Sequence, residues 1–342
     1  MDVSPQQSFQ ICSEPAEEWL TMDDGAKLFV RQWTGGGTPW AVVHIVHGMA
    51  EHSLRYKETA RFLAQAGIEV WAADQRGHGR TADLTVNGPE RGGLLGHCAD
   101  SEGAFRVTQD IDAVNRIIRK KRPGIPLILL GHSWGSFITQ NYIERYGKGL
   151  SGCILSGTRG PGGLDSKMGA PFLALLSRLR GCRSRSRMVW RMADGSYNKP
   201  FRPNRTSADW LSRNDAAVDA YIQDPLCGKL STIGFYRDLT GLLNRIHRQE
   251  AMQGIPSSLP IYVISGSADP VGAMGRSPTR LVNIYRSLGI GDLEFVLYPD
   301  ARHEPLNETN REEVRENILS WITKRFGKKN GIREPAVHDG LS

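Results

Sequence analysis

The sequence predicts an α/β protein, with a mostly parallel central sheet flanked by helices and a helical segment inserted between two of the strands. Three observations lead there. Short apolar runs ending in Gly, Asp or Ser alternate with stretches of helical periodicity, the pattern of successive βα units. Between Gly157 and Gly254 that rhythm stops for roughly a hundred residues, far longer than an ordinary βα connection. The chain has 342 residues, and a single hydrophobic core stops growing at about 250 to 300, so one large core with an insertion fits better than two equal domains. The expected division is a core of 1–156 and 255–326, a helical cap of 157–254, and a flexible tail of 327–342.

The elements follow in order. Residues 18–22 and 27–33 flank the turn Asp23-Asp24-Gly25 and read as an opening hairpin. The runs 40–46, 69–73, 126–130, 152–155, 260–264 and 293–297 are short and apolar, as buried strands of a parallel sheet must be. Val107, Ile111, Val114 and Ile118 recur at the spacing of one helix face, and Pro123-Gly124 stops that helix. A helix is expected over 136–146, ending at Gly147. Near the C-terminus Thr309 and Glu312 have the spacing of a capping box ahead of the stripe Val314, Ile318, Trp321. Within the insertion, Phe172, Leu175, Leu176, Leu179 and Phe235, Leu239, Leu242, Leu243 form two apolar stripes. Ligands of open α/β sheets bind outside the carboxyl ends of the strands. The insertion leaves the chain at such an end, so its stripes are expected to roof a site and line an apolar tunnel.

Composition narrows the class. Hydrophobic residues make up 39%, mean hydropathy is −0.37, and no apolar run approaches the ~20 residues of a membrane-spanning helix. The opening Met-Asp-Val-Ser-Pro lacks the basic and apolar regions of a secretory signal. Five scattered cysteines, Cys12, Cys98, Cys153, Cys182 and Cys227, never form a C-x-x-C pair, which argues against a disulfide framework or a zinc site. A soluble, cytoplasmic protein is expected, with no metal and no cofactor. The net charge of +7 is unevenly spread. From 166 to 213 eleven Lys or Arg face two acids, Asp194 and Asp209, a local excess of nine that leaves the rest of the chain at −2. Such a patch suits an anionic membrane surface or is simply a solvated face. No interleaved aromatic platform accompanies it, so a nucleic-acid partner is not expected.

The chemistry concentrates in three loops. Gly131-His132-Ser133-Trp134-Gly135 follows the strand 126–130 and precedes the helix 136–146. A strand–turn–helix this tight needs glycine on either side and pushes Ser133 into the cleft as a nucleophile. A serine hydroxyl needs a base, and the base needs an acid to hold its tautomer. Asp269 lies just past the strand 260–264 and His303 just past 293–297, so both reach the same sheet edge as Ser133 in the order Ser, Asp, His. Asp300 is the alternative acid, but it lies on the same loop as the histidine it would have to orient. An oxyanion would be held by the backbone N–H of Trp134, after the nucleophile, and by that of Met49 in the loop after the strand 40–46. The segment 74–79, Asp-Gln-Arg-Gly-His-Gly, lacks a phosphate-loop Lys-Ser/Thr and reads as a positioning loop, and the histidines show no metal-ligand spacing.

Together, His47-Gly48-Met49-Ala50-Glu51-His52-Ser53-x-Arg55-Tyr56, Asp74-x-Arg76-Gly77-His78-Gly79, Gly131-His132-Ser133-Trp134-Gly135-Ser136, Gly266-Ser267-Ala268-Asp269 and Ala301-Arg302-His303-Glu304 resemble the monoacylglycerol lipase and lysophospholipase-like branch of the α/β hydrolases, often labelled serine-aminopeptidase-like. The resemblance covers about residues 18 to 326 and is loosest in the cap. It implies the α/β-hydrolase fold, the triad Ser133, Asp269, His303 and the oxyanion donors Met49 and Trp134. Trp134 departs from the Met of many members, and its indole is expected to narrow the acyl pocket. The expected function is hydrolysis of a single-chain acyl ester such as monoacylglycerol or lysophospholipid through an acyl-enzyme. A small-ester esterase, an aminopeptidase, which would need acidic groups in the cap to meet a substrate amine, and a non-catalytic binding protein remain as alternatives. The sequence leaves the oligomeric state open.

Overall fold

The computed structural model describes residues 14–162 and 164–327, and the side chains of 164–168 are outside that description. Cys12 and nearly all of the tail expected over 327–342 lie outside the described residues. Eight strands form one sheet: β1 (Ala16–Thr21), β2 (Lys27–Trp33), β3 (Ala41–Val46), β4 (Ile68–Ala73), β5 (Leu127–His132), β6 (Gly152–Ser156), β7 (Ile261–Gly266) and β8 (Leu293–Tyr298). The spatial order is β1-β2-β4-β3-β5-β6-β7-β8. The β1–β2 hairpin is antiparallel, and β2 meets β4 antiparallel. From β4 to β8 every pairing is parallel.

Every central strand sends alternate side chains to opposite faces, and each face is covered by helices. On one face Ile128, Leu130, Tyr262 and Ile264 pack against α1 (Lys57–Gln65) and α10 (Arg311–Phe326). On the other, Leu129 and Val263 pack against α2 (Gly103–Lys121), α3 (Trp134–Tyr146) and α9 (Arg276–Ser287). The stripe Val107, Ile111, Val114, Ile118 is buried along α2 as its spacing requires. β8 departs from the expectation of a buried strand. It closes the sheet edge, so most of its side chains are only half covered.

Between β6 and β7 lie α4 (Leu164–Arg180), α5 (Arg187–Ala193), α6 (Asp215–Gln223), α7 (Ile233–Ile246) and the single turn α8 (Gln249–Met252). The stripe Phe235, Leu239, Leu242, Leu243 is covered, with Leu239 half-buried, but it packs into the core beside Trp134 and Phe137 of α3 instead of lining a tunnel. The stripe on α4 is not: Leu175 and Leu179 are 57% and 73% exposed. α4 instead lays Leu173 and Leu176 against Tyr236 and Leu239 of α7 and Val189 of α5, which turns Phe172, Leu175 and Leu179 outward. The capping box at Thr309 and Glu312 does not form. Buried Glu308 accepts from Thr309 through both the amide and the hydroxyl, so that side chain is engaged, and α10 starts at Arg311 behind Asn310.

Candidate active site

The bend after β5 holds Ser133 at φ +52, ψ −122, a conformation a non-glycine residue keeps only where its surroundings force it. A Cβ on Gly135 would strike the carbonyl oxygen of Val46, and one on Gly131 would strike Thr139 and Gly135. Both glycines are therefore steric necessities of the turn. The Ser133 amide donates to the Ser156 carbonyl at 2.9 Å, anchoring the bend to β6. The hydroxyl faces a cavity of about 330 Å³ floored by Ser133 and His303 and walled by Met49, Trp190, Trp210 and Tyr236.

The three loops converge as the sequence order suggested. The Ser133 Oγ lies 2.8 Å from Nε2 of His303, whose Nδ1 lies 3.0 Å from Oδ1 of Asp269. Asp269 Oδ1 also accepts the Val271 amide at 2.8 Å, while Oδ2 is buried without a partner. An acceptor on the Nδ1 side fixes the proton there and leaves Nε2 a free lone pair toward Ser133. Burial alone would lower the His303 pKa, but the charge and hydrogen bond of Asp269, with Glu304 and Glu51 behind, hold it above the ordinary histidine value. His132, tilted against His303 with ring centres 5.0 Å apart, is pushed down to about 4 by burial and by the charge of His303. It stays neutral beside His303. Asp300 is exposed, and its amide donates to Ser267.

Met49 borders the cavity together with Ser133. Trp134 opens α3, where an N–H has no acceptor within the helix. Its indole corrects the sequence expectation. The ring is 1% exposed, packs on Phe235 at 4.9 Å between centres and donates to Gln75 Oε1 at 3.0 Å. It belongs to the core rather than narrowing the cavity. Gln75 is a residue the motifs passed over except as part of a positioning loop. Its Nε2 donates to the His47 carbonyl and its amide to His47 Nε2, so one side chain ties the Met49 loop to Trp134. The rest of that loop does steady the site: Asp74 binds Arg31 and Ser53, and Arg76 is forked onto Asp110 and Asp24.

The insert contributes Asp194, which borders the cavity and accepts from the Tyr236 hydroxyl at 2.8 Å. Enclosure raises its carboxyl to about 6. Two groups of metal-capable side chains exist among the described residues, His52/Asp224/Cys227 and His97/Asp100/Cys182. In the second, Asp100 is already claimed by the Arg183 fork. In the first, Asp224 bonds His52 at 2.8 Å and Cys227 lies in the field of Arg55. No helix of the described residues is long and apolar enough to cross a membrane.

A mostly parallel sheet with a strained serine at the end of its fifth strand, met there by a histidine and an aspartate from the last two strand ends, is the architecture of the α/β hydrolases and defines an enzyme of the serine-hydrolase class. More particularly, the chain belongs to the family described as Serine aminopeptidase, S33, whose model matches residues 37–310. It is similar to the monoacylglycerol lipase of Mycolicibacterium smegmatis, 29% identical over 88% of this chain and 95% of that one. The monoglyceride lipase of Mus musculus is 30% identical, with 90% of each chain covered. Among solved structures, a thermostable carboxyl esterase from Bacillus coagulans in complex with glycerol superposes with a TM-score of 0.84 at 28% identity, covering 92% of this chain and 99% of that one.

Proposed function

We propose that this protein hydrolyses single-chain acyl esters, monoacylglycerol foremost and lysophospholipid by the same chemistry, with Ser133 as nucleophile, His303 as base and Asp269 as the acid that orients it. The observation that carries this reading is the unbroken Ser133–His303–Asp269 hydrogen-bonded chain on the floor of a cavity whose wall includes Trp190, Trp210, Leu211 and Ile222. Nε2 of His303 takes the hydroxyl proton as Oγ attacks the ester carbonyl. The developing oxyanion is met by the N–H groups of Met49 and Trp134. His303 returns the proton to the departing glycerol oxygen, leaving an acyl-Ser133, and then activates a water that releases the fatty acid. The helical segment 157–254 acts as a cap over this cavity, and its Trp190, Trp210 and Ile222 receive the acyl chain.

The deciding experiment is Ser133→Ala, assayed on monoacylglycerol, lysophosphatidylcholine, p-nitrophenyl esters and an aminoacyl-anilide. Ester hydrolysis by the parent, its loss in the variant and a single fluorophosphonate adduct at Ser133 are expected. Retention of more than a few per cent of activity in the variant refutes the assignment. Anilide as the preferred substrate favours the aminopeptidase reading, for which Asp194 is the cap's cavity-facing acid.

A second reading concerns the partner surface. On α4 Leu175 and Leu179 are exposed together with Arg178 and Arg180, and on α5 Met188 and Met192 together with Arg187 and Arg191. Trp190, 39% exposed, also reaches the cavity. We infer that this face rests on an anionic lipid surface. Arg183 and Arg185 are excluded from that role because they hold Asp100 and the carbonyls of Leu95 and Leu230.

A further inference from the structure

Arg55 joins two loops that the reaction needs at a fixed separation. Its Nη1 lies 2.7 Å from Glu51 Oε2 and 2.7 Å from Glu304 Oε1, and its Nη2 lies 2.8 Å from Glu304 Oε2. Glu304 immediately follows His303 in the chain. Glu51 closes the loop that carries Met49, where its Oε1 accepts the Gly48 amide and the Tyr56 hydroxyl. Within that loop Ala50 has φ +55, a left-handed conformation that persists only when the surroundings over-determine it. The Glu51, Glu304 and Arg55 side chains are 3%, 5% and 10% exposed. The ring of Tyr221, from α6 of the insert, caps the guanidinium at 4.9 Å.

We propose that Arg55 is a positioning residue whose guanidinium fastens the loop bearing the Met49 N–H to the loop bearing His303 and balances the two buried carboxylates beside the base. This rests on the roles proposed above for Ser133, His303 and Met49. A planar fork can hold Glu304 with both nitrogens while reaching Glu51, whereas the compact ammonium of lysine cannot span both carboxylates in that geometry. The charged and titratable groups that face His303 are Asp269 from the loop after β7, Glu304 on its own loop, Glu51 from the Met49 loop, His132 from the bend after β5 and Asp194 from the insert. Of these, Glu51 and Glu304 are the two that Arg55 pairs. Without it their charge acts unbalanced on the imidazole and holds its proton more tightly.

The test compares full-length Arg55→Lys, Arg55→Met and Arg55→Met/Glu304→Gln on a soluble p-nitrophenyl ester across pH, with urea unfolding to verify the fold. Arg55→Lys should keep KM and the position of the acid limb but lose about tenfold or more in kcat, since a small misplacement of donor against base is costly. Arg55→Met should lose more, with its acid limb moved to higher pH, and adding Glu304→Gln should move the limb back. If Arg55→Met does not fold, Arg55→Lys and Glu304→Gln alone carry the test, the latter lowering kcat and moving the limb to lower pH. Parental kcat in Arg55→Lys, or an unmoved limb in folded Arg55→Met, overturns the proposal. Failure of the underlying triad is recognised separately, because Ser133→Ala would then remain active.

Discussion

Replacing Asp269 by asparagine should lower kcat by about a thousandfold while leaving the fold in place. Oδ1 accepts both the Val271 amide and the His303 Nδ1–H, whereas Oδ2 has no partner. Only an acceptor satisfies the Val271 N–H, so the asparagine carbonyl keeps the Oδ1 position and its amide nitrogen takes the empty one. The imidazole then retains its tautomer, and what disappears is the negative charge. With charge centres about 4 Å apart and an effective dielectric near 20, that charge contributes about 4 kcal/mol to the imidazolium formed in the transition state. At 1.36 kcal/mol per tenfold, the loss is about 10³ in kcat. An amide turned the other way would present a donor to Nδ1, enforce the wrong tautomer and cost nearer 10⁴. The assay is steady-state hydrolysis of p-nitrophenyl butyrate, normalised to fluorophosphonate-reactive sites, with Asp300→Asn as the control expected to stay within about twofold of the parent. A loss under tenfold, or an equal loss in Asp300→Asn, refutes the assignment of the acid.

Three further outcomes follow from the same geometry. In the proposed mechanism the base acts deprotonated, and Asp269, Glu304 and Glu51 together outweigh burial and raise the His303 pKa, so kcat/KM should rise with pH through a midpoint above 6.5, the ordinary histidine value; a pH profile with its midpoint at or below that value contradicts the charge arrangement. Trp134→Met should cost about 2 to 4 kcal/mol in urea unfolding, from the cavity left against Phe235 and the unpaired Gln75 oxygen. The preferred acyl length should not change, and a shift toward longer p-nitrophenyl esters would place the indole back in the pocket. Finally, the variant Arg178→Gln/Arg180→Gln/Arg187→Gln/Arg191→Gln should lose a low-salt preference for monoacylglycerol in anionic over neutral vesicles, each charge contributing about 1 kcal/mol near such a surface. Equal rates of the parent on both vesicle types at low salt would leave these arginines as solvated charge.

Sequence alone determined the framework of this protein because the rules that set it are local or topological. The alternation of apolar runs with helical stripes placed every strand to within two residues, since a strand buried on both faces has to be apolar throughout. The bend at Ser133 was legible because only glycine fits at positions 131 and 135, and the Ser133, Asp269, His303 order placed all three groups at carboxyl ends of strands, those of β5, β7 and β8. Tertiary structure decided which face of an element found a partner. Both α4 and α7 carry a stripe of four apolar residues, yet only that of α7 is covered, because the burial of a helix face depends on the element packed against it as well as on its own spacing. The same holds for single side chains. The Trp134 indole turns into the core because Gln75, fifty-nine residues away, accepts its N–H, and Thr309 forgoes a cap because Glu308 takes its hydroxyl first. Arg55 and Glu304 stood in the recognised motifs, but their pairing spans 249 residues. No local pattern encodes a contact at that range; it exists only once the sheet brings the two loops to the same edge.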